Sequence, residues 1–227
     1  MKVIFFDAVG TLFGVRGSVG KMYCLVAQEF GVALDPDTID RAFNSLFRAA
    51  PPLAFPGCAL DAIPRQEYEW WHRLGIETFK RSGDYSKFTD FDRFFARLYD
   101  FFASGAPWEL YEDVPTALAQ LRSAGYRMGI ISNFDSRIFS VLQSLQLSDW
   151  FEHVIISSYT GAAKPDRGIF TYALEQFHAL PEEAFHVGDS QREDYEGAKA
   201  AGLSAVWLQR PNQTLMDGIQ NFFQDLR

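Results

Sequence analysis

Apolar and polar positions divide the chain into two textures. Between residues 17 and 104 the apolar positions recur at helical spacing. Met22, Leu25, Val26 and Phe30 mark one helical face, and Ile39, Ala42, Phe43, Leu46 and Phe47 mark a second. Gly31 stops the first helix and Pro36 stands near the start of the next, the placement each residue favours. Pro51-Pro52 breaks the second, and further helices are predicted around 67–81 and 90–103. From Tyr111 onward the pattern becomes strand, loop, helix. Strands are predicted at 127–132, 154–157, 184–187 and 205–208, and helices at 115–124, 137–145, 167–177 and 193–201. Strands alternating with amphipathic helices predict an α/β fold with a parallel sheet covered on both faces and right-handed crossovers. Leu215, Ile219, Phe222, Phe223 and Leu226 form a last helical stripe, expected to dock on this core.

One strand stands apart from the others. Residues 3–6 are a continuous apolar run ending in Asp7, with Gly10 and Thr11 close behind. Such a run reads as a strand buried on both faces, and open α/β sheets place ligands beyond the carboxyl ends of their strands. Two later strands end on polar groups as well: Ile130-Ile131 leads into Ser132-Asn133, and His186-Val187 into Gly188-Asp189-Ser190. Lys164-Pro165 precedes the helix at 167–177, and Asp194 begins the helix after Asp189.

Taken singly these residues have plain explanations. A strand-end aspartate forms turns, Ser-Asn opens them, Lys-Pro marks a surface loop, and Asp194 suits a helix N-cap. Together they supply the parts of a phosphoryl-transfer site. Asp7 offers a carboxylate nucleophile. Thr11, Ser132, Asn133 and Lys164 form the candidate phosphate-binding set, with Lys164 neutralising charge on Asp7 and on the transferring group. Asp189 and Asp194 supply the acidic half of an oxygen-liganded cation site that suits Mg2+.

In this order the four segments resemble the motifs of the haloacid dehalogenase-like hydrolases. Ser132-Asn133-Phe134-Asp135, the alanine-rich approach to Lys164 and His186-Val187-Gly188-Asp189 are similar to the REG-2-like subgroup of that family. The resemblance implies a Rossmann-like core at 1–14 and 107–227, with an α-helical cap at 15–106 inserted after the first strand. It implies catalytic roles for Asp7, Ser132 and Lys164, and a small phosphorylated substrate. It also implies Mg2+ held by Asp7, the backbone carbonyl of Val9 and Asp189, with Asp194 acting through water or orienting the site.

Val9 departs from the family pattern, in which most phosphatases carry a second aspartate here as general acid and base. Valine can move no proton, and losing such a group costs ~10²–10⁴ in rate. Family branches that lack the second aspartate include the 2-haloacid dehalogenases, phosphonoacetaldehyde hydrolases and P-type ATPases. Three readings therefore stay open. The first is an Mg2+-dependent hydrolase with a phosphoaspartyl intermediate, the second a metal-free dehalogenase, and the third a non-catalytic phosphate- or Mg2+-binding protein.

Composition narrows the setting. The 227 residues carry a net charge of -8, which disfavours nucleic acid as a partner. Cys24 and Cys58 form no CxxC pattern, and no stretch is long enough to span a bilayer, so a cytoplasmic location without membrane contact is expected. His72, His153, His178 and His186 lack metal-ligand spacing. The sequon Asn212-Gln213-Thr214 is then idle. Aromatic residues crowd the helical region, including Phe43, Phe47, Tyr68, Trp70, Trp71, Phe79, Phe94 and Phe95. Most are expected to form its own core, leaving room for a hydrophobic pocket or a protein-partner surface. Arg16 and Lys21 are near enough in sequence to reach Asp7, and hinges are expected at 12–17 and 103–108.

Overall fold

The computed structural model describes residues 2–225, so Leu226 of the terminal stripe lies outside the described residues. Five parallel strands form the central sheet: β1 (Val3–Phe6), β4 (Arg127–Ser132), β5 (His153–Ile156), β6 (Ala184–Gly188) and β7 (Ser204–Trp207). Their order is β5-β4-β1-β6-β7, so the first strand in sequence lies at the centre. Phe6 stands opposite Ile130 on one side and Val187 on the other. That register brings the ends of β1, β4 and β6 level, with Asp7, Ser132 and Asp189 at one edge.

Both faces of β1 are buried because successive side chains alternate. Ile4 and Phe6 pack with α5 (Val114–Ser123), α6 (Ile138–Ser144) and the terminal helix α10 (Leu215–Asp225). Val3 and Phe5 pack on the opposite face with α8 (Arg167–Phe177) and α9 (Gly197–Ala200). A four-residue helix, α7 (Ser157–Thr160), follows β5 directly.

Four helices come between β1 and the rest of the sheet: α1 (Val19–Glu29), α2 (Pro36–Ala49), α3 (Ile63–Ser82) and α4 (Phe91–Ala103). They enclose a third cluster in which Phe79 and Phe94 are fully buried. Most of the aromatics are this layer's core, as the pattern predicts. Leu25 and Phe47 depart from it and stand at 48% and 44% exposure. Phe47 lies at the layer's rim, stacked on Phe43 and Trp71.

A two-stranded antiparallel ribbon of β2 (Phe13–Val15) and β3 (Trp108–Leu110) was not legible in sequence. Each strand has three residues, too few to establish a period of two. β2 lies within the expected hinge at 12–17, β3 begins at the last residue of the one at 103–108, and the Arg16 N–H bond to the Pro107 carbonyl extends the pairing. Trp108 meets Phe13 edge-on at 5.4 Å. The two chain crossings between core and helical layer thus brace one another.

Candidate active site

Asp7 is 7% exposed and sits just past the carboxyl end of β1. Its Oδ1 accepts hydrogen bonds from the Lys164 ammonium at 2.6 Å and the Ser132 hydroxyl at 3.2 Å. Among the described residues both of its side-chain bonds are taken at Oδ1, which leaves Oδ2 for another partner. Lys164 also donates to Asp194 Oδ1 at 2.5 Å, so one ammonium bridges two acids. Asp7, Asp189 and Asp194 each offer an oxygen, all within 4.8 Å of one another.

Asp194 is not the N-cap of the helix that follows β6. Ser190 caps the helix instead, accepting from the Glu193 N–H. The turn from Gln191 to Glu196 is a π-helix, and its wider spacing carries Asp194 inward beneath Gly188. Asp194 also bonds His186 Nε2 at 2.8 Å and accepts from the Ser190 N–H at 2.9 Å. It is therefore satisfied by protein groups, which suits an orienting role better than direct ligation.

The charges follow from these contacts. Burial disfavours an ionised Asp194, but Lys164 and His186 hold its carboxyl well below the usual range. Burial would lower Lys164, yet Asp194 and Asp7 raise it further. Asp7 shares the same lysine but lacks the second partner, so burial, with Asp194 repelling it, raises its carboxyl. Asp189 keeps a solvent-facing edge and is nevertheless pushed up to about 7, by burial and then by Asp7 and Asp194. Burial outweighs Asp194 at His186 and lowers its pKa, while Nδ1 is buried without a partner.

Other expected residues fall differently. Asn133 spends its side chain on the loop that presents Lys164, accepting from its N–H at 2.7 Å and donating to its carbonyl at 2.9 Å. Asn133 still lines the cavity above Asp7, as do Val9, Ser132 and Lys164. Thr11 is fully buried, its hydroxyl has no partner, and it is absent from that wall. Its backbone anchors the turn after β1 by accepting from Arg210 Nε and donating to Ala8. Arg16 bonds the Trp108 carbonyl, Lys21 is exposed, and neither lines the cavity.

The cavity has a volume of about 330 Å3. Its wall at the sheet edge is polar, and its far end is built largely from the helical layer. Arg137 lies in that far wall, which sequence reasoning missed because Arg137 opens the predicted helix at 137–145, where a cation reads as solvated. Its guanidinium pairs with buried Asp135 through Nε at 2.9 Å and Nη2 at 2.6 Å, and lies 3.9 Å from the Tyr99 ring centroid. The Trp71 indole N–H donates to the same Asp135 at 2.5 Å. Buried Glu67 on α3 accepts from the Ser136 N–H at 2.9 Å and from its hydroxyl. These contacts latch the helical layer onto the loop after β4.

The chain is similar to known proteins along most of its length. The haloacid dehalogenase-like hydrolase family matches residues 1–202. Haloacid dehalogenase-like hydrolase domain-containing protein 3 of Mus musculus is 33% identical over 207 residues, covering 89% of this chain and 80% of its own. Glyceraldehyde 3-phosphate phosphatase of Pyrococcus abyssi is 41% identical over 100 residues, 42% of either chain. Among solved structures, L-2-haloacid dehalogenase of Xanthobacter autotrophicus matches with a TM-score of 0.67 at 21% identity, covering 94% of this chain and 79% of that one. At that identity the likeness speaks for the fold alone.

Proposed function

The chain belongs to the haloacid dehalogenase-like hydrolase family, and from that premise we propose that it transfers phosphoryl groups from small phosphorylated molecules to Asp7, with Mg2+ as cofactor. One observation carries this reading: three acids, Asp7, Asp189 and Asp194, bring oxygens within 4.8 Å of one another, and a single ammonium, Lys164, pairs with two of them. When all are ionised, two negative charges remain uncompensated, which is the charge of one divalent ion. Burial first, and then the neighbouring Asp7 and Asp194, raise the Asp189 carboxyl. Oxygen donors at this spacing fit Mg2+, with Asp7, Asp189 and the Val9 carbonyl as its protein ligands and Asp194 behind them. Bound there, the ion would supply positive charge against the phosphoryl oxygens.

The chain's own residues do the rest. Lys164 and Ser132 hold one Asp7 oxygen, which aims the other at the cavity. Attack by that oxygen forms the aspartyl oxygen–phosphorus bond and breaks the bond from phosphorus to the leaving group, which departs with the electron pair. Water then attacks the same phosphorus, the aspartyl carboxylate leaves, and phosphate is released with the water's protons passed to solvent. Lys164 is placed to hold the phosphoryl charge in both steps. Val9 faces the cavity where a proton donor would be useful and offers none. The favoured substrates therefore have leaving groups that need no proton, such as aryl or acyl phosphates.

A screen of aryl phosphates, acyl phosphates, alkyl phosphates and 2-haloacids, each with and without Mg2+, tests this reading. Mg2+-dependent release of phosphate from aryl or acyl substrates is expected. Metal-independent halide release would move the chain to the dehalogenase reading, and no turnover with retained phosphate binding would make it a binding protein.

A further inference from the structure

Resting on the phosphoryl-transfer reading, we propose that the organic half of the substrate is a flat apolar group, of aromatic character and without a second charge. The cavity has two unlike ends. Near Asp7 its wall is polar, but the far end is made by Phe43, Trp71, Phe95, Tyr99, Phe102 and Trp108. An organic group bound there meets ring faces and edges almost everywhere it turns.

The indole and guanidinium groups at that end are engaged, and the Tyr23 and Tyr99 hydroxyls are its remaining side-chain polar groups. The Trp71 indole N–H is given to Asp135, and the Trp108 indole N–H to the Phe102 carbonyl at 3.2 Å. Arg137 is the charged residue of this wall, and it would ordinarily suggest an anionic group on the substrate. Its charge is cancelled by Asp135, which is fully buried and holds two of its nitrogens. Its Nη1 is directed at the Tyr99 carbonyl at 3.3 Å. The guanidinium carbon stands 3.9 Å from the Tyr99 centroid and 5.1 Å from the Trp71 centroid, so the group is held among the rings of this wall. Arg16 and Lys21, the other cations of this region, do not reach the cavity. A polyol such as a sugar phosphate would set most of its hydroxyls against ring faces here, at a cost in affinity. Among the described residues, a dianionic substrate would find no free cation at the far end.

Calorimetry on the full chain with Mg2+ separates this inference from the reading beneath it. The probes are inorganic phosphate, glycerol 3-phosphate and the non-hydrolysable 1-naphthyl phosphonate. The naphthyl compound should bind at least ~10-fold more tightly than inorganic phosphate, since burying even part of one ring carries that much affinity. Glycerol 3-phosphate should gain nothing over phosphate. If phosphate binds and the naphthyl compound gains nothing, or glycerol 3-phosphate gains more, the aromatic-substrate inference fails while phosphoryl transfer stands. If none of the three binds with Mg2+ present, the phosphoryl-transfer reading fails and takes this inference with it.

Discussion

Gly10 lies so close to the Asp189 carboxylate that a Cβ on it would fall 2.4 Å from Oδ2. Its φ of +92° is also one that other residues rarely adopt. The turn after β1 and the turn after β6 can meet only because this position carries no side chain. Gly10→Ala should therefore push Asp189 away from Asp7 and destabilise the fold by about 1–3 kcal/mol. Thermal denaturation with and without Mg2+ should show a lower midpoint and a lost Mg2+ increment. A variant that keeps the native increment would remove Asp189 from the metal site.

Lys164 is the hub of the buried charges, 2.6 Å from Asp7 and 2.5 Å from Asp194. Lys164→Met keeps the bulk and deletes the ammonium, leaving both acids uncompensated. Breaking a buried pair by removing one partner costs about 3–5 kcal/mol. Urea denaturation near neutral pH should show a loss of that order. A loss under about 1 kcal/mol would mean that the acids are already neutral in the native chain, and the charge argument for Mg2+ would fall.

Much of this site was legible from strand ends. β1, β4 and β6 were legible as strands that end on polar groups, and their register carries Asp7, Ser132 and Asp189 to one edge. Lys164 and Asp194 were legible only as parts of the joint pattern, and the structure brings both to Asp7. What could not be read depends on contacts between segments distant in sequence. Trp71 meets Asp135 across 64 positions, and nothing in either neighbourhood announces the other. Arg137 reads as a solvated charge until Asp135, Tyr99 and Trp71 are seen around it. Nothing in Gln191–Glu196 distinguishes a π-turn from an ordinary helix start, so Ser190 was not legible as the cap that leaves Asp194 to face Lys164.

The pH dependence of the metal response follows from Asp189. Its folded value is raised to about 7, first by burial and then by Asp7 and Asp194. A raised carboxyl favours the protonated folded state, so its contribution is full below the unfolded value of ~3.9 and is lost as pH rises through about 7. Metal binding requires the ionised form. The Mg2+ increment in melting temperature should be small near pH ~5, grow through neutrality and level off by about pH 8. In Asp189→Asn the increment should be small throughout. An equal increment at both ends of the range in the native chain would contradict the assignment.

Val9→Asp restores a proton-carrying group at a position that lines the cavity beside Asp7. Steady-state turnover of an alkyl phosphate should rise by up to ~10², while turnover of an aryl phosphate should change far less. Equal gains on both substrates would mean that leaving-group protonation is not what the native chain lacks. Rapid hydrolysis of alkyl phosphates by the native chain would point to another proton donor in the cavity wall.

The central claim is that Asp7 takes the phosphoryl group, and the absence of a proton acceptor at Val9 should make that intermediate slow to hydrolyse. The direct measurement is acid quenching of the native chain after mixing with an aryl phosphate and Mg2+, followed by peptide mass spectrometry. The account predicts one added phosphoryl group on the peptide containing Asp7, lost on treatment with hydroxylamine and absent from Asp7→Asn. Turnover of the aryl phosphate with no label on that peptide at any quench time, or undiminished turnover by Asp7→Asn, would contradict it.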